Sequence, residues 1–353
     1  MEKSVRADGG QTVRIGLNGF GRIGRNVLRA SLSHPSVEIV GINDIMDPED
    51  MRYLLAYDSV SGRVEDVSLT NGALSVGETT IPIHSEKDPA DLPWDESDVD
   101  VAFECTGLFR TYEDASRHLD AGAEKTLISA PPKGEKEVKT LVYGVNHDEY
   151  DGEDVISNAS CTTNSVAPAA KVLNERFGIR SGLLTTVHAY TSTQQLLDGP
   201  SGKRRRGRAA AENIIPTSTG AAIATTEVLP ELEGKLDGMA MRVPVPNGSL
   251  TDFVVDLEAD VRADEVNDAF RDAAANDLSG ILGYTDDELV SRDILGMAYS
   301  SIIDCGSTMA LEGGLVKVLC WYDNEYGFAN RMLDVAQYVA NGEVVPTAGP
   351  VEA

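Results

Sequence analysis

The chain has 353 residues, of which 42% are hydrophobic, and it carries a formal net charge of −27 at pH 7. This length has room for two domains and this apolar content is enough for folded cores, so global disorder is excluded. The acidic balance argues against nucleic acid as the main partner. No apolar run is long enough to span a bilayer, and no secretory signal pattern is present, so we expect a cytoplasmic protein with no membrane partner.

The acidic residues are spread over loops and helices rather than gathered in one tail. This pattern indicates either a halophilic protein adapted to high intracellular salt or simply an acidic mesophilic one. The 4 cysteines form no CxxC pair and the 5 histidines occur singly, which predicts a reduced, cytosolic protein without a metal site. Residues 1–11 are expected to form a disordered lead-in, and residues 344–353 a tail.

The first folded segment carries a dinucleotide-binding pattern. A strand over 13–18 leads into Gly19-Phe-Gly21-Arg-Ile-Gly24 and a helix, and a second strand ends just before Asp44. The glycines allow close approach of a pyrophosphate to the helix start, and an acidic residue at this distance accepts hydrogen bonds from the adenosine ribose. Asp44 would repel a 2′-phosphate, so NAD is favoured. Arg52 is the nearest positive charge and leaves NADP as the alternative.

Strands and helices alternate through the rest of the first half, which predicts a mostly parallel sheet. One buried strand ends shortly before Thr106, and the next ends at Ser129. Ligands bind at the carboxyl ends of such strands, so both residues are expected to face the cofactor. We therefore predict an α/β fold, with a Rossmann-type NAD-binding domain over 12–160.

Cys161 lies just before a predicted helix over 165–177. A thiol near a helix N-terminus is favoured as the thiolate, the form that acts as a nucleophile. The alternative is a small buried cysteine. Later strand-like runs with few helices predict an α+β catalytic domain with a mostly antiparallel sheet over 161–324. The basic run Lys203–Arg208 is either solvated surface, a contact to acidic surface on a neighbouring subunit, or a site for anionic ligands.

Several of these segments together resemble one family, the phosphorylating glyceraldehyde-3-phosphate dehydrogenases of bacteria and eukaryotes. The resemblance runs from about residue 13 to 339 and is carried by Asn18-Gly-Phe-Gly-Arg-Ile-Gly-Arg25, Tyr57-Asp-Ser59, Ala159-Ser-Cys-Thr-Thr-Asn164, His188-Ala-Tyr-Thr191, Pro216-Thr-Ser-Thr-Gly-Ala-Ala222, Met241-Arg-Val-Pro244 and Trp321-Tyr-Asp-Asn-Glu-Tyr-Gly327.

The resemblance implies a reaction and its residues. Cys161 would attack the aldehyde of D-glyceraldehyde 3-phosphate, and His188 would be the base that pairs with the thiolate. Oxidation by NAD would leave a thioester, which inorganic phosphate converts to 1,3-bisphosphoglycerate in glycolysis or gluconeogenesis. The substrate's phosphate would be held by Thr191, Thr193 and Arg242. The attacking phosphate would be held by Ser160, Thr162, Thr219 and the N–H of Gly220.

For the cofactor, the resemblance implies Arg22 and Ile23 at the pyrophosphate, Asp44 at the ribose and Asn324 at the nicotinamide amide, with Lys87 and Ser129 as further candidates. It also implies a homotetramer, and a last helix over 325–340 that completes the NAD-binding domain. Two alternatives stay open: an erythrose-4-phosphate dehydrogenase, whose thioester goes to water, and a non-catalytic NAD-sensing protein.

Overall fold

A computed structural model describes residues 12–342 and residue 344. The expected lead-in over 1–11, and the expected tail apart from Val344, lie outside the described residues. The described chain forms two compact units. Of the described residues, unit one contains 12–141, 147–159, 329–342 and 344, and unit two contains 142–146 and 160–328. The domain limits expected from the sequence did not include the segment 142–146 in the second unit.

Unit one alternates strands and helices along the chain. Its elements are β1 Val13–Asn18, α1 Arg22–Ser31, β2 Val37–Asn43, α2 Pro48–Ala56, β3 Tyr57–Asp58, β4 Gly62–Arg63, β5 Val67–Thr70, β6 Ala73–Val76, β7 Thr79–His84, β8 Val101–Glu104, α3 Tyr112–Ala115, α4 Arg117–Asp120, β9 Lys125–Ile128, β10 Lys139–Thr140 and β11 Val155–Ser157.

Nine of these strands form one sheet in the order β10-β11-β9-β8-β1-β2-β7-β6-β5. The pairs from β10 to β7 are parallel, and β5, β6 and β7 form an antiparallel meander at one edge. All four residues of β8 are buried, as expected for a central parallel strand covered on both faces. This topology is the Rossmann-type arrangement predicted from the glycine pattern.

Unit two is richer in long strands. Its elements are α5 Cys161–Phe177, β12 Ile179–Ala189, β13 Ile215–Ser218, α6 Ala221–Val228, β14 Leu236–Val243, β15 Ser249–Leu257, α7 Ala263–Ala275, β16 Leu282–Thr285, β17 Ser301–Asp304, β18 Met309–Leu311 and β19 Leu315–Tyr322. The last helix, α8 Tyr326–Asn341, begins in unit two and continues in unit one from residue 329.

The sheet of unit two has the order β13-β14-β12-β15-β19-β17-β16, with β18 beside β19. Only β12–β14 and β16–β17 are parallel, so the prediction of a mostly antiparallel sheet is confirmed. Burial alternates strictly along β15, which shows that one face of the sheet is covered. Helix α5 packs against β15, β17 and β19 and covers that face.

Two helices differ from the sequence prediction. Helix α5 begins at Cys161 rather than at Ser165, because the side chain of Ser160 caps it by accepting a hydrogen bond from the Thr163 N–H. The helix predicted near 112–121 is two short helices, α3 and α4. Within the part of the chain that the structure describes, no helix is both long and apolar enough to cross a membrane.

Candidate active site

The glycine-rich turn of unit one joins β1 to α1 with very little space around it. A Cβ on Gly24 would lie 2.1 Å from the carbonyl oxygen of Gly19, so only glycine permits this contact between turn and helix. Gly19 has a φ of +97°, in the region that favours glycine. By contrast, a Cβ on Gly21, the N-cap of α1, would meet no atom within 4 Å. The open side of the turn therefore has room for a phosphate group at the start of the helix.

Asp44 follows β2 and is tied to the same turn. Its carboxylate accepts hydrogen bonds from the N–H of Phe20 at 2.6 Å and of Met46 at 2.9 Å. These bonds fix the carboxylate at the carboxyl edge of the sheet, where a ribose would be bound. Arg22 forms an ion pair with Asp58, which occupies part of its guanidinium, so any contact of Arg22 with the pyrophosphate is expected mainly from its backbone N–H.

The other cofactor candidates in unit one follow neighbouring strands of the same sheet. Thr106 comes after β8 and Ser129 after β9, while Lys87 follows β7 and is exposed. Ile45 and Leu108, at this edge, are 70% and 76% exposed. Exposed apolar side chains beside the open turn are suited to pack on a nucleotide base, and no sequence pattern predicts this role for Leu108. The residues present therefore fit a dinucleotide.

Cys161 is the first residue of α5 in unit two. Its Sγ lies 3.5 Å from the Nε2 of His188, which is close to the end of β12. The Nδ1 of His188 lies 2.8 Å from the carbonyl oxygen of Ala189. If Nδ1 carries the imidazole proton and donates it to that carbonyl, Nε2 is left as the acceptor facing the thiol. The two side chains that the sequence singled out are thus brought together.

Arg242 lies beside His188 because of strand register. β12 and β14 are parallel, and the register pairs His188 with Arg242, so both side chains emerge on the same face. The Nη1 of Arg242 donates to the carbonyl oxygen of Ala189 at 2.8 Å and lies 3.0 Å from Nδ1 of His188. A cation is therefore held next to the thiol and imidazole pair.

The electrostatics of this pair differ from the sequence prediction for Cys161. Loss of hydration raises the pKa of Cys161, although the positive charge of Arg242 and hydrogen bonds from Thr162 oppose this shift. Burial, followed by the charge of Arg242, lowers the pKa of His188 to about 3. Burial therefore disfavours both the thiolate of Cys161 and the imidazolium of His188 when each is formed alone. The sequence prediction that the thiolate predominates is not supported. A proton passed from Sγ to Nε2 leaves the pair neutral overall.

Four of the predicted phosphate ligands lie in turns near strand and helix ends. The hydroxyls of Thr191 and Thr193 lie 2.9 Å apart, just after β12. Thr219 accepts a hydrogen bond from the Ala221 N–H at 3.2 Å, and Gly220 is the exposed N-cap of α6. A Cβ on Gly220 would meet no atom within 4 Å. Open space at a helix start suits an anion.

Two further predicted residues are held in buried hydrogen bonds. The hydroxyl of Thr162 lies 2.9 Å from that of Tyr322, which also lies 2.7 Å from the Thr186 hydroxyl. The carbonyl of the Asn324 side chain accepts from Ser249 at 2.7 Å. That bond leaves the NH₂ group of Asn324 as the part of its side chain that could contact a carboxamide.

Sequence reasoning did not assign Tyr322 or Arg206 to this site. The ring of Tyr322 meets His188 edge-on, with centroids 5.9 Å apart. Arg206 comes from the basic run, and its charge contributes to lowering the pKa of both His188 and Arg242. Its Nε donates to the Thr217 hydroxyl at 3.0 Å. The basic run thus supplies at least one cation to the site, although no local motif singles out Arg206 within that run.

Comparison with known proteins gives the same assignment for both units. Residues 13–112 match the family model described as the glyceraldehyde 3-phosphate dehydrogenase NAD binding domain, and residues 160–324 match the C-terminal domain of the same enzyme. The glyceraldehyde-3-phosphate dehydrogenase of Haloarcula vallismortis is 67% identical over 331 residues, which cover 93% of this chain and 98% of that protein. Glyceraldehyde-3-phosphate dehydrogenase 1 of Bacillus subtilis (strain 168) is 55% identical, with the same coverage of both chains. The enzyme of Bacteroides fragilis (strain YCH46) is 51% identical over 93% of this chain and 99% of its own length.

Taken with the thiol and imidazole pair and the dinucleotide turn, these matches show that the chain belongs to the glyceraldehyde-3-phosphate dehydrogenase family of NAD-binding oxidoreductases.

Proposed function

We propose that the protein oxidises D-glyceraldehyde 3-phosphate with NAD and converts it to 1,3-bisphosphoglycerate, a step of glycolysis and gluconeogenesis. The observation that carries this proposal is the 3.5 Å approach of Cys161 Sγ to His188 Nε2. A thiol with a base in hydrogen-bond reach and a neighbouring cation is equipped for covalent chemistry at a carbonyl carbon.

In the first step, Sγ adds to the aldehyde carbon while its proton passes to Nε2 of His188. His188 then gives this proton to the former carbonyl oxygen, which yields a hemithioacetal and leaves the imidazole neutral again. Bound NAD supplies the hydride acceptor that makes oxidation to the thioester favourable. His188 takes the hydroxyl proton as the C=O bond of the thioester forms. An oxygen of inorganic phosphate then attacks the thioester carbon, the C–S bond breaks, and the sulfur leaves as the thiolate.

Two anion sites are needed, one for each phosphate. We assign Arg242, with Thr191 and Thr193, to the phosphate of the substrate, because a guanidinium offers paired donors to phosphate oxygens. We assign Ser160, Thr162, Thr219 and the Gly220 N–H to the attacking phosphate. The hydroxyl of Thr162 is hydrogen-bonded to Tyr322 in a buried position, so its side chain must turn away from Tyr322 to contact this phosphate. Otherwise Thr162 contributes through its hydrogen bonds to the sulfur of Cys161.

We further propose a homotetramer. Unit two exposes apolar side chains on its sheet: Leu183 is 65% exposed, Leu311 63% and Leu315 43%. Leu183, Val254 and Leu315 line one shallow groove. Apolar surface of this kind on a folded unit is usually covered by a partner protein. We propose that another copy of this chain covers it, as a subunit of the homotetramer.

A cytoplasmic, halophilic setting is the last part of the proposal. All four cysteines are free, which suits a reducing compartment. The net charge of −27 would destabilise the compact state by self-repulsion at low ionic strength, whereas molar salt shortens the Debye length to about 3 Å.

The deciding experiment measures the initial rate of cofactor reduction by glyceraldehyde 3-phosphate in concentrated KCl, with NAD or NADP, each with and without inorganic phosphate. We expect a rate that requires phosphate and prefers NAD. Oxidation that ignores phosphate would identify a hydrolytic relative such as an erythrose-4-phosphate dehydrogenase. NAD binding with no turnover would identify a sensor.

A variant pair makes the test specific for the proposed nucleophile. Cys161→Ser is expected to abolish turnover and keep NAD binding, because a serine hydroxyl is a far weaker nucleophile. Cys305→Ser, at a buried cysteine of the same unit, serves as the matched control and should retain the rate.

A further inference from the structure

A buried carboxylate lies directly beneath the carboxyl edge of the sheet of unit one. Glu104 is the last residue of β8, and its side chain is fully buried. One of its oxygens, Oε1, accepts hydrogen bonds from both the N–H and the hydroxyl of Thr106, the former at 2.8 Å. The other, Oε2, accepts from the Nδ2 of Asn18 at 2.6 Å. Glu104 thus links the turn after β8 to the end of β1.

The chain of hydrogen bonds continues across the edge. Asn43, the last residue of β2, donates from Nδ2 to the Oδ1 of Asn18 at 2.8 Å and to the carbonyl oxygen of Glu86 at 2.9 Å. Its own Oδ1 accepts from the Glu86 N–H at 2.8 Å. The segment after β7 is therefore connected to Glu104 as well. Four turns that surround the predicted cofactor site depend on one carboxylate.

On its inner side Glu104 meets a tryptophan and histidine pair. The indole N–H of Trp94 donates to Nδ1 of His118 at 3.0 Å, and Nε2 of His118 lies 3.4 Å from Oε2 of Glu104. The indole cannot turn, because it packs against Gly16 and Gly41, where an added Cβ would come within 3.1 and 2.9 Å of its ring. An indole N–H only donates, so Nδ1 accepts and the imidazole proton faces Glu104.

The direction of each hydrogen bond in this network, from donor to acceptor, is fixed by the groups at its two ends. The backbone of Glu86 presents one donor and one acceptor to Asn43, which sets the orientation of that amide and, through it, that of Asn18. The backbone N–H of Thr106 and the indole N–H of Trp94 can only donate. Every group that reaches Glu104 is consequently a donor, and only a side chain with two acceptor oxygens satisfies them all.

We propose that Glu104 is a positioning residue for the nicotinamide cofactor, one that holds the turns after β1, β2, β7 and β8 in the arrangement that binds the dinucleotide. This inference rests on the proposed use of NAD. Glutamine has the same shape but turns one acceptor into a donor, so at least one buried donor loses its partner. The network cannot adapt by flipping the amides of Asn18 and Asn43. A flipped Asn43 would face the Glu86 N–H with its own NH₂ group and the Glu86 carbonyl with its own oxygen, so both hydrogen bonds would be lost.

The test compares Glu104→Gln with wild-type protein by titration with NAD and by steady-state kinetics in concentrated KCl. One unsatisfied buried donor corresponds to about a tenfold change in an equilibrium. We expect the dissociation constant and the KM for NAD to rise about tenfold, and kcat at saturating NAD to change less than twofold. Asp100→Asn is the matched control, since Asp100 is a buried carboxylate just before β8, at the opposite edge of the same sheet, and should leave the NAD constants unchanged.

A wild-type protein that does not bind NAD would overturn the proposed function itself. A wild-type protein that binds NAD, with a Glu104→Gln variant whose constants are within twofold of it, would overturn only the positioning role. If Glu104→Gln fails to fold, Asn18→Ala carries the test, because it breaks the link from Glu104 to β1 and β2. The same rise in KM for NAD would support the inference, and an unchanged KM would refute it.

Discussion

Replacing His188 by asparagine removes the proposed base and leaves the thiol in place. Burial already raises the pKa of Cys161 above its ordinary 9.0, so without a base at 3.5 Å less than about 1% of the thiol is ionised at pH 7. General-base catalysis contributes about 100- to 10,000-fold, equivalent to about 3–5 kcal/mol of barrier. We expect kcat of His188→Asn to fall by that factor, while the dissociation constant for NAD stays near the wild-type value.

The rate of alkylation by iodoacetamide as a function of pH measures the thiolate without any substrate. The other cysteines should react slowly, because burial raises the pKa of Cys305 to about 11 and of Cys320 to about 12, and also raises that of Cys105. Cys161→Ser gives the background. In wild-type protein, His188 can accept the proton as Sγ attacks the reagent, so alkylation near neutral pH should be faster than in the variant. In His188→Asn the rate should climb tenfold per pH unit up to at least pH 9.

Equal pH profiles for the two proteins would refute the reasoning, because they would mean that the thiolate forms without help from His188. A fall in kcat with an unchanged alkylation profile would assign His188 only to the later proton transfers.

Three further predictions concern the cofactor, acid stability and assembly. Asp44→Ala should raise the ratio of kcat/KM for NADP to that for NAD about tenfold, because the carboxylate that repels a 2′-phosphate is gone; an unchanged ratio would assign the preference to another residue. The pKa of Asp58 is lowered: burial alone would raise it, but hydrogen bonds from the backbone of Ser61 and Val60 and the charge of Arg22 outweigh burial. This carboxylate therefore stabilises the fold above its unfolded pKa, and the contribution disappears as the pH falls through the lower folded value. Asp58→Asn should lower the free energy of unfolding by about 1–3 kcal/mol at pH 7, measured with denaturant. The difference from wild type should shrink toward pH 2. A difference that stays constant with pH would show that the carboxylate charge does not matter. Leu183→Asp should lower the molecular mass that light scattering measures in solution, because the assembly dissociates. Tyr284→Asp, at an exposed residue of the same unit, is the control, and an equal fall in mass there would mean that any added carboxylate has this effect.

Local patterns were enough to predict the nucleotide-binding turn and the sheet that carries it. Gly19, Gly21 and Gly24 follow a strand and precede a helix, and the answering acid Asp44 comes at the required distance, so the whole signal lies within about thirty residues. The antiparallel character of the second sheet was also predictable, because strand-like runs there follow one another with few intervening helices.

Other features depend on contacts that no local pattern contains. The sequence pattern predicts that α5 starts at Ser165, but Ser160 offers the same capping chemistry and forms the cap in the structure. The helix start alone favours the thiolate of Cys161, whereas burial in the surrounding protein raises the pKa of the thiol. Glu104 hydrogen bonds with Asn18, 86 residues earlier, and such a pairing becomes visible only when parallel strands are aligned.

The paired register of β12 and β14 places the proton-transfer residue His188 on a strand, whereas most of the proposed phosphate ligands lie in the connecting segment. Eight consecutive residue pairs fix His188 next to Arg242, so this part of the site depends mainly on the strand ladder. Thr191, Thr193, Arg206, Thr219 and Gly220 all lie in the connection between these strands, over 190–235. Within that connection β13 pairs with β14 and sets Ile215 opposite Arg242, so we expect only the segments outside β13 to vary without displacing the guanidinium from the imidazole. We therefore expect the threonines of the connection to tune the substrate range, while Arg242 and the proton-transfer pair stay in place on the strands.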